Sequence, residues 1–112
     1  HVIVTAGYNV DPSEVEELLR EHEAVADAAV VGVPDERRNE VPVAYVVPAP
    51  GADPGDDLAE AIREFCLENV AEYKHPREVT FVEELPRTAS GKVQKYKLEE
   101  GHGEANTAED DD

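Results

Sequence analysis

"VADAAVVGVPDERRNEVPVAYVVP", residues 25–48, decides the fold. Its first part, "VADAAVVGVP" (25–34), is an apolar run with β-branched residues and reads as a buried strand. "PDERRNE" (34–40) is a polar connection. "VPVAYVVP" (41–48) reads as a second strand, so the two form a hairpin. Pro42 has no N–H to offer a neighbouring strand, which places one end of this second strand at a sheet edge.

Working outward, "HVIVTAGYNV" (1–10) reads as two short strands around an Ala6-Gly7 turn. "DPSEVEELLREH" (11–22) starts a helix: Asp11 can cap it, Pro12 suits the first helical position and Glu14 sits three residues after the cap. Val15, Leu18, Leu19 and His22 share one face of that helix. On the other side, "APGADPGDD" (49–57) is a loop rich in Pro, Gly and Asp. The longest helix pattern runs from Asp56 to Glu72, with Leu58, Ile62, Phe65 and Asn69/Val70 at helical spacing. "YKHPR" (73–77) ends it, because the residue before a proline disfavours α geometry. "EVTFVEEL" (78–85) is a third strand, and a loop leads into a short amphipathic segment, Val93 to Leu98. The expected fold is α+β: a small three-stranded sheet flanked by helices, with an N-terminal β-hairpin loop. Residues 1–100 form one domain, and 101–112 form an acidic tail expected to be disordered.

The chain of 112 residues is enough for one small domain with a modest core. It has no Met or Trp, so Val, Leu, Ile, Ala and a few aromatic rings must fill that core. There are 27 acidic and 10 basic residues, a formal net charge of -17. Such an excess repels itself in dilute salt and is screened at molar salt, which points to a salt-filled cytoplasm. The acidic tail does not account for it, since twenty of the carboxylates precede residue 99. Cys66 has no partner for an internal disulfide and lies in a helical pattern, where it reads as a small core residue. No segment has the length of a membrane span or the pattern of a signal peptide, and a cytoplasmic location is expected. The net charge has the wrong sign for nucleic acid.

The cations are not scattered. Arg37 and Arg38 lie in the polar connection; Lys74, Arg77, Arg87, Lys92, Lys95 and Lys97 lie between 74 and 97; only Arg20 and Arg63 stand elsewhere. These are either local partners of the abundant carboxylates or cations kept for work with anions. "LPRTASGKVQKYKL" (85–98) concentrates the question. It is not a GxxxxGK[ST] phosphate loop, because Pro86 stands where the first Gly belongs and Val93 where a hydroxyl is needed. Nor is there a metal site: His1, His22, His75 and His102 show no ligand spacing.

Three stretches carry a resemblance. "GYNVDPSEVEELL", "AVVGVPDERRNEVPVAYVV" and "YKHPREVTFVEELPRTASGKVQKYKL", in this order, are similar to the C-terminal domain of the adenylate-forming enzymes: acyl-CoA synthetases, peptide-synthetase adenylation domains and luciferases. The resemblance covers the chain to about Glu99. It implies that Lys92, in a Pro-x-Thr-x-x-Gly-Lys motif, is the catalytic lysine of adenylation, bridging the substrate carboxylate and the α-phosphate of ATP. It implies a hinge loop, Thr5 to Asn9, that reaches the active site when the domain rotates for the second half-reaction. Gly7, Tyr8 and Asn9 would then line the pantetheine tunnel of coenzyme A, although Gly7 also suits a plain hairpin turn. Arg38 and, more weakly, His75 match positions that contact CoA, with Arg37 and Lys74 adding positive field. Two departures stand out: Asn39 replaces a usual Gly, and His1 a usual acidic residue.

The resemblance also implies a partner, the N-terminal domain of the same enzyme, holding ATP, its Mg2+ and the acyl pocket. The expected function is that of an AMP-forming acyl-CoA synthetase, an acid-thiol ligase of fatty acid metabolism acting on a short- or medium-chain carboxylate and inactive without that partner domain. Two alternatives are an adenylation domain that loads a carrier protein and a free-standing, non-catalytic protein-binding module.

Overall fold

The computed structural model describes residues 2–101. The chain runs through β1 (Ile3–Thr5), β2 (Tyr8–Val10), α1 (Pro12–Glu21), β3 (Val25–Asp35), β4 (Asn39–Pro48), α2 (Asp56–Asn69), a 3-10 turn (Glu72–Lys74) and β5 (Glu78–Phe81). Residues 95–101 are again helical. The α+β class holds, but the sheet has five strands rather than three, ordered β2-β1-β4-β3, with β5 also paired to β4.

The β3–β4 hairpin is the spine. It pairs antiparallel from Val25↔Pro48 to Asp35↔Asn39, with a register shift between Val25 and Asp27. Its apolar runs are continuous because the sheet is covered on both faces. Ala28, Val30, Ala44 and Val46 point to one core with Val15, Leu19, Ile62 and Cys66 of the helices. Ala29, Val31, Val33, Val43 and Tyr45 point to the other, closed by Leu85 and Leu98. This is the pleat at work: successive residues of a strand face opposite sides. Tyr45 Oη donates to the Leu98 carbonyl at 3.1 Å, which ties the C-terminal helical stretch to the second core.

The helix cap forms as the sequence requires. Asp11 Oδ1 accepts from Ser13 N at 3.0 Å, and Pro12 opens the helix. Glu14 does not close a reciprocal capping box; its carboxylate takes the Lys74 ammonium at 3.0 Å.

The expectations need correction at four places. The N-terminal hairpin, expected beside a three-stranded sheet, extends that sheet: β1 pairs with β4 through Thr5↔Asn39. Val4 N donates to Glu40 Oε1 and Asn39 Nδ2 to the Val4 carbonyl, each at 3.1 Å. Pro42 is fully buried rather than at a free edge. Its carbonyl accepts from Arg77 N at 2.8 Å. N and O of one strand residue face the same neighbour, so its missing N–H falls between β1, which pairs at Asn39, and β5, which starts at Val43. The second helix stops at Asn69, not Glu72, because Val70 is extended (φ -136°) and the chain re-coils as the 3-10 turn. The third expected strand ends at Phe81, parallel to β4, and the following residues turn away to cover the second core. The domain boundary expected at residue 100 falls within the helical stretch 95–101, and the rest of the expected tail, 102–112, lies outside the described residues.

Candidate functional site

Two cationic regions emerge, one near each end of β3. The first is built on a small hairpin within "LPRTASGKVQKYKL". Arg87 and Val93 form an antiparallel bridge, and Gln94 N donates to the Pro86 carbonyl at 2.8 Å. At the tip, Thr88 N donates to the Lys92 carbonyl and Gly91 N to the Thr88 carbonyl, both at 2.9 Å. That pattern, with Gly91 at φ +90°, is a three-residue hairpin loop: a β-turn followed by one left-handed residue. Glycine takes that conformation without the clash a Cβ introduces. Lys92 N donates to Thr88 Oγ1 at 3.2 Å. The loop is therefore small but not loose, and Lys92 stands exposed at its exit.

A chain of charges ties this loop to the body. Arg87 Nη1 donates to the Gly91 carbonyl at 2.7 Å, while its Nη2 donates to Asp27 Oδ2. The other oxygen, Asp27 Oδ1, accepts from Arg20 Nε of α1 at 3.2 Å and from Ala28 N at 2.9 Å. Partial burial pushes the Asp27 carboxyl up, but the Ala28 N–H and the two guanidiniums outweigh it and hold the group below the usual carboxylate range. Nearby, Lys95 is committed to Glu16 at 2.8 Å, and Glu16 also accepts from Val30 N. A groove of about 520 Å³ opens here, with Lys92, Tyr96, Lys95 and Glu16 among its lining residues.

The second region gathers the Ala6-Gly7 turn and the β3–β4 turn. Ala6 and Gly7 have positive φ (49° and 84°), the two-residue type I′ arrangement that matches strand twist. Ala6 N donates to the Arg38 carbonyl at 2.8 Å, so the turn bearing Gly7, Tyr8 and Asn9 is fastened beside Arg38. Asp35 Oδ2 accepts from the backbone N–H groups of Arg37 (3.1 Å) and Arg38 (2.8 Å). Asn39 follows at φ +77°, a left-handed position that Asn tolerates better than most side chains. The replacement of a usual Gly thus keeps the turn rather than disturbing it. Tyr8, 55% exposed, stacks on Tyr73 with centroids 4.3 Å apart and planes 20° from parallel. Lys74 Nζ lies 5.9 Å from the Tyr73 ring; its hydrogen bond to Glu14 raises its pKa.

The structure thus brings Gly7, Tyr8, Asn9 and Arg38 to one end. His75 is different: it is 5% exposed and its Nδ1 faces the Glu72 carbonyl, so it is built into the 3-10 turn rather than presented with Lys74. Lys92 is not part of this group. Asp27, which holds its loop, and Asp35, which holds the Arg38 turn, are separated by about 26 Å along β3 at ~3.3 Å per residue. Sequence reasoning missed Tyr73, Asp27, Asp35 and the bracing role of Arg87. The "YK" before His75 was a signal for Tyr73; the ion-pair partners had none.

Charge pairing separates the cations. Arg20, Arg63, Lys74, Arg77, Arg87 and Lys95 each meet a carboxylate. Among the described residues, Arg37, Arg38, Lys92 and Lys97 show no ion pair; the first three lie in the two regions just described, and Lys97 is exposed on the helical stretch 95–101. Among the described residues, no three His, Cys, Asp or Glu side chains gather as a metal-holding set, and no helix is long and apolar enough to cross a membrane.

The fold is an α+β domain with a braced, lysine-bearing hairpin near one end of β3 and the Ala6-Gly7 turn fastened beside a cationic β-turn near the other. Residues 14–92 match the model of the AMP-binding enzyme C-terminal domain, and the chain belongs to that family. It is 45% identical over 101 residues to a 2-succinylbenzoate–CoA ligase of Listeria monocytogenes, covering 90% of this chain and 21% of that protein. Against 4-hydroxybutyrate–CoA ligase 1 of Metallosphaera sedula it is 50% identical over 97 residues, covering 87% and 17%. The crystal structure of a Brucella canis acyl-CoA synthetase superposes with a TM-score of 0.89 at 40% identity, over 95% of this chain and 20% of that one. The chain therefore spans about a fifth of the length of these relatives.

Proposed function

We propose that this chain is the mobile C-terminal domain of an AMP-forming carboxylate–CoA ligase, acting with an N-terminal domain that holds ATP and the carboxylic acid. Lys92 serves the first half-reaction. As the carboxylate oxygen attacks the α-phosphorus and pyrophosphate leaves, negative charge builds on the phosphoryl oxygens, and an ammonium at the tip of a fixed hairpin stabilises it. Mg2+, arriving with ATP, is held outside this chain.

The opposite end serves the second half-reaction. Gly7, Tyr8 and Asn9 line the path of the pantetheine arm, and Arg38 meets a CoA phosphate, with Arg37 adding field. His75 supports the turn under Tyr73 and Lys74 rather than touching the ligand. Two regions about 26 Å apart along β3 cannot both fill one active site at once. The domain must turn between the two chemical steps.

The observation that carries this reading is the exposed Lys92, without an ion pair among the described residues, on a braced loop in a chain with 27 carboxylic acids. A cation left free among so many anions has its partner elsewhere. We also place the enzyme in a salt-rich cytoplasm, on its net charge of -17.

The test is Lys92→Ala in the enzyme that carries this domain, with the two half-reactions measured separately. Acyl-adenylate formation should fall by about 100- to 1,000-fold, the scale for loss of one preorganised electrostatic group. Thioester formation from supplied acyl-adenylate should persist. An equal fall in both steps, or in neither, would reject the assignment.

A further inference from the structure

The loop that carries Lys92 has internal hydrogen bonds that fix its shape. They do not fix where it points. Thr88, Ala89, Ser90, Gly91 and Lys92 are all exposed, so no apolar side chain anchors the tip. Among the described residues, the side-chain hydrogen bonds that link this loop to β3 run through one residue, Arg87. Its guanidinium forks: Nη1 holds the Gly91 carbonyl at 2.7 Å, one residue before Lys92, and Nη2 holds Asp27 on β3. Asp27 is itself fixed beside the register shift in β3 by Ala28 N and by Arg20 of α1.

From this geometry we propose that Arg87 is a positioning residue for adenylation, aiming the Lys92 hairpin, with Asp27 as its anchor. This rests on the adenylation role of Lys92 given above.

An ordinary exposed ion pair needs only charge, and it contributes little to stability. This one also commits a guanidinium N–H to the Gly91 carbonyl, so it couples the loop tip to β3 as well as pairing charge. The planar fork makes two contacts in fixed relative direction, which a lysine ammonium on a flexible stem cannot reproduce. The contribution is one of aim. An ammonium stabilises a developing phosphoryl charge only if it arrives at the right place, and a displacement of about 1 Å in a reacting arrangement costs on the order of 100-fold.

The experiment uses Arg87→Met, Arg87→Lys and Asp27→Asn in the enzyme that carries this domain, beside Lys92→Ala. Pyrophosphate release reports adenylation, and thioester formation from supplied acyl-adenylate reports the second step. Arg87→Met should lower kcat for adenylation by about 10- to 100-fold with KM for ATP little changed. Thioester formation should be spared, because the loop has left the site by then. Arg87→Lys should recover part of the loss, and Asp27→Asn should lower adenylation in the same direction. A merely structural role would lower both steps together, and that outcome overturns the proposal. So does full adenylation in Arg87→Met while Lys92→Ala abolishes it. If Lys92→Ala itself leaves adenylation intact, the reading of the loop fails first and the role of Arg87 falls with it.

Discussion

Asp27 and Asp35 stand eight residues apart on β3, and each carboxylate organises one of the two cationic loops. Asp27 takes the guanidiniums of Arg87 and Arg20; Asp35 takes the backbone N–H groups of Arg37 and Arg38. The difference matters. At Asp27 the arginine side chains are consumed and the neighbouring lysine is left free. At Asp35 only the backbone is consumed, and both arginine side chains remain available. One strand thus fixes the positions of both cationic loops, while Lys92, Arg37 and Arg38 keep side chains without an ion pair among the described residues.

Arg38→Ala should weaken the use of CoA and spare adenylation. Loss of one charge-assisted contact costs about 1.5–3 kcal/mol. That corresponds to roughly 10- to 150-fold in KM for CoA. Steady-state kinetics with CoA varied, at the lowest salt the enzyme tolerates, measures it. Unchanged CoA kinetics would remove Arg38 from the site.

Acid should act on the lysine-loop brace through Asp27. Its folded pKa lies below the unfolded value, so the folded state binds its proton less readily than the unfolded chain does. The stabilisation is fully present above the unfolded pKa of about 3.9 and fades as pH falls through the lower, folded value. Asp27→Asn should therefore be less stable than the parent at neutral pH, with the gap closing below about pH 4. Denaturant titrations across pH test this; a gap independent of pH would mean that the carboxylate charge is not what matters.

Much of the architecture was legible because its signals are local. The cap at Asp11, the Ala6-Gly7 turn and the apolar runs of β3 and β4 each announce themselves within a few residues. The buried, thiol-inert state of Cys66, whose pKa burial pushes up to about 11, follows from its helical spacing. What was not legible depends on residues distant in sequence. Thr5 meets Asn39, Tyr8 stacks on Tyr73, and Asp27 takes Arg87, separations of 34, 65 and 60 residues. No local pattern reports such pairs. Pro42 misled for the same reason: the gap it occupies is created by two other strands. Lys92, Arg38 and the Ala6-Gly7 turn were singled out by resemblance, whereas the carboxylates that hold the neighbouring loops carry no motif in a chain so rich in acid.

Two glycine substitutions should destabilise for different reasons. A Cβ at Gly32 would sit 3.0 Å from Glu40 Oε2 and 3.1 Å from Ile3 Cγ1, where β1 crosses close to the hairpin. Gly32→Ala should cost about 1–3 kcal/mol by overpacking and loosen the β1 junction. At Gly91 there is open space, and the cost is that of a left-handed backbone, about 1–2 kcal/mol. Gly91→Ala should also disturb the aim of Lys92 and lower adenylation, while Gly32→Ala should reach activity through lost fold. Melting curves and half-reaction rates together distinguish them.

Salt should raise stability rather than lower it. Two opposing effects respond to ionic strength. The six ion pairs among the described residues weaken in salt, but each exposed pair contributes only about 0–1 kcal/mol. Against them stands an excess of 17 negative charges on a chain of 112 residues. Two like charges ~10 Å apart in water repel by about 0.4 kcal/mol, and the excess makes many such pairs. At molar salt the Debye length falls to about 3 Å, and repulsion at those distances is largely removed. Direct contacts of ~3 Å are screened less completely than repulsions acting across ~10 Å or more. The balance therefore favours the folded state as KCl rises, and Tm should climb between millimolar and molar salt. Exchange of KCl for a neutral solute at equal osmolality should not reproduce the rise, since the effect is one of charge. A Tm that is flat or falls with KCl would show that the carboxylates are already accommodated in the fold, and would remove the ground for placing this protein in a salt-rich cell.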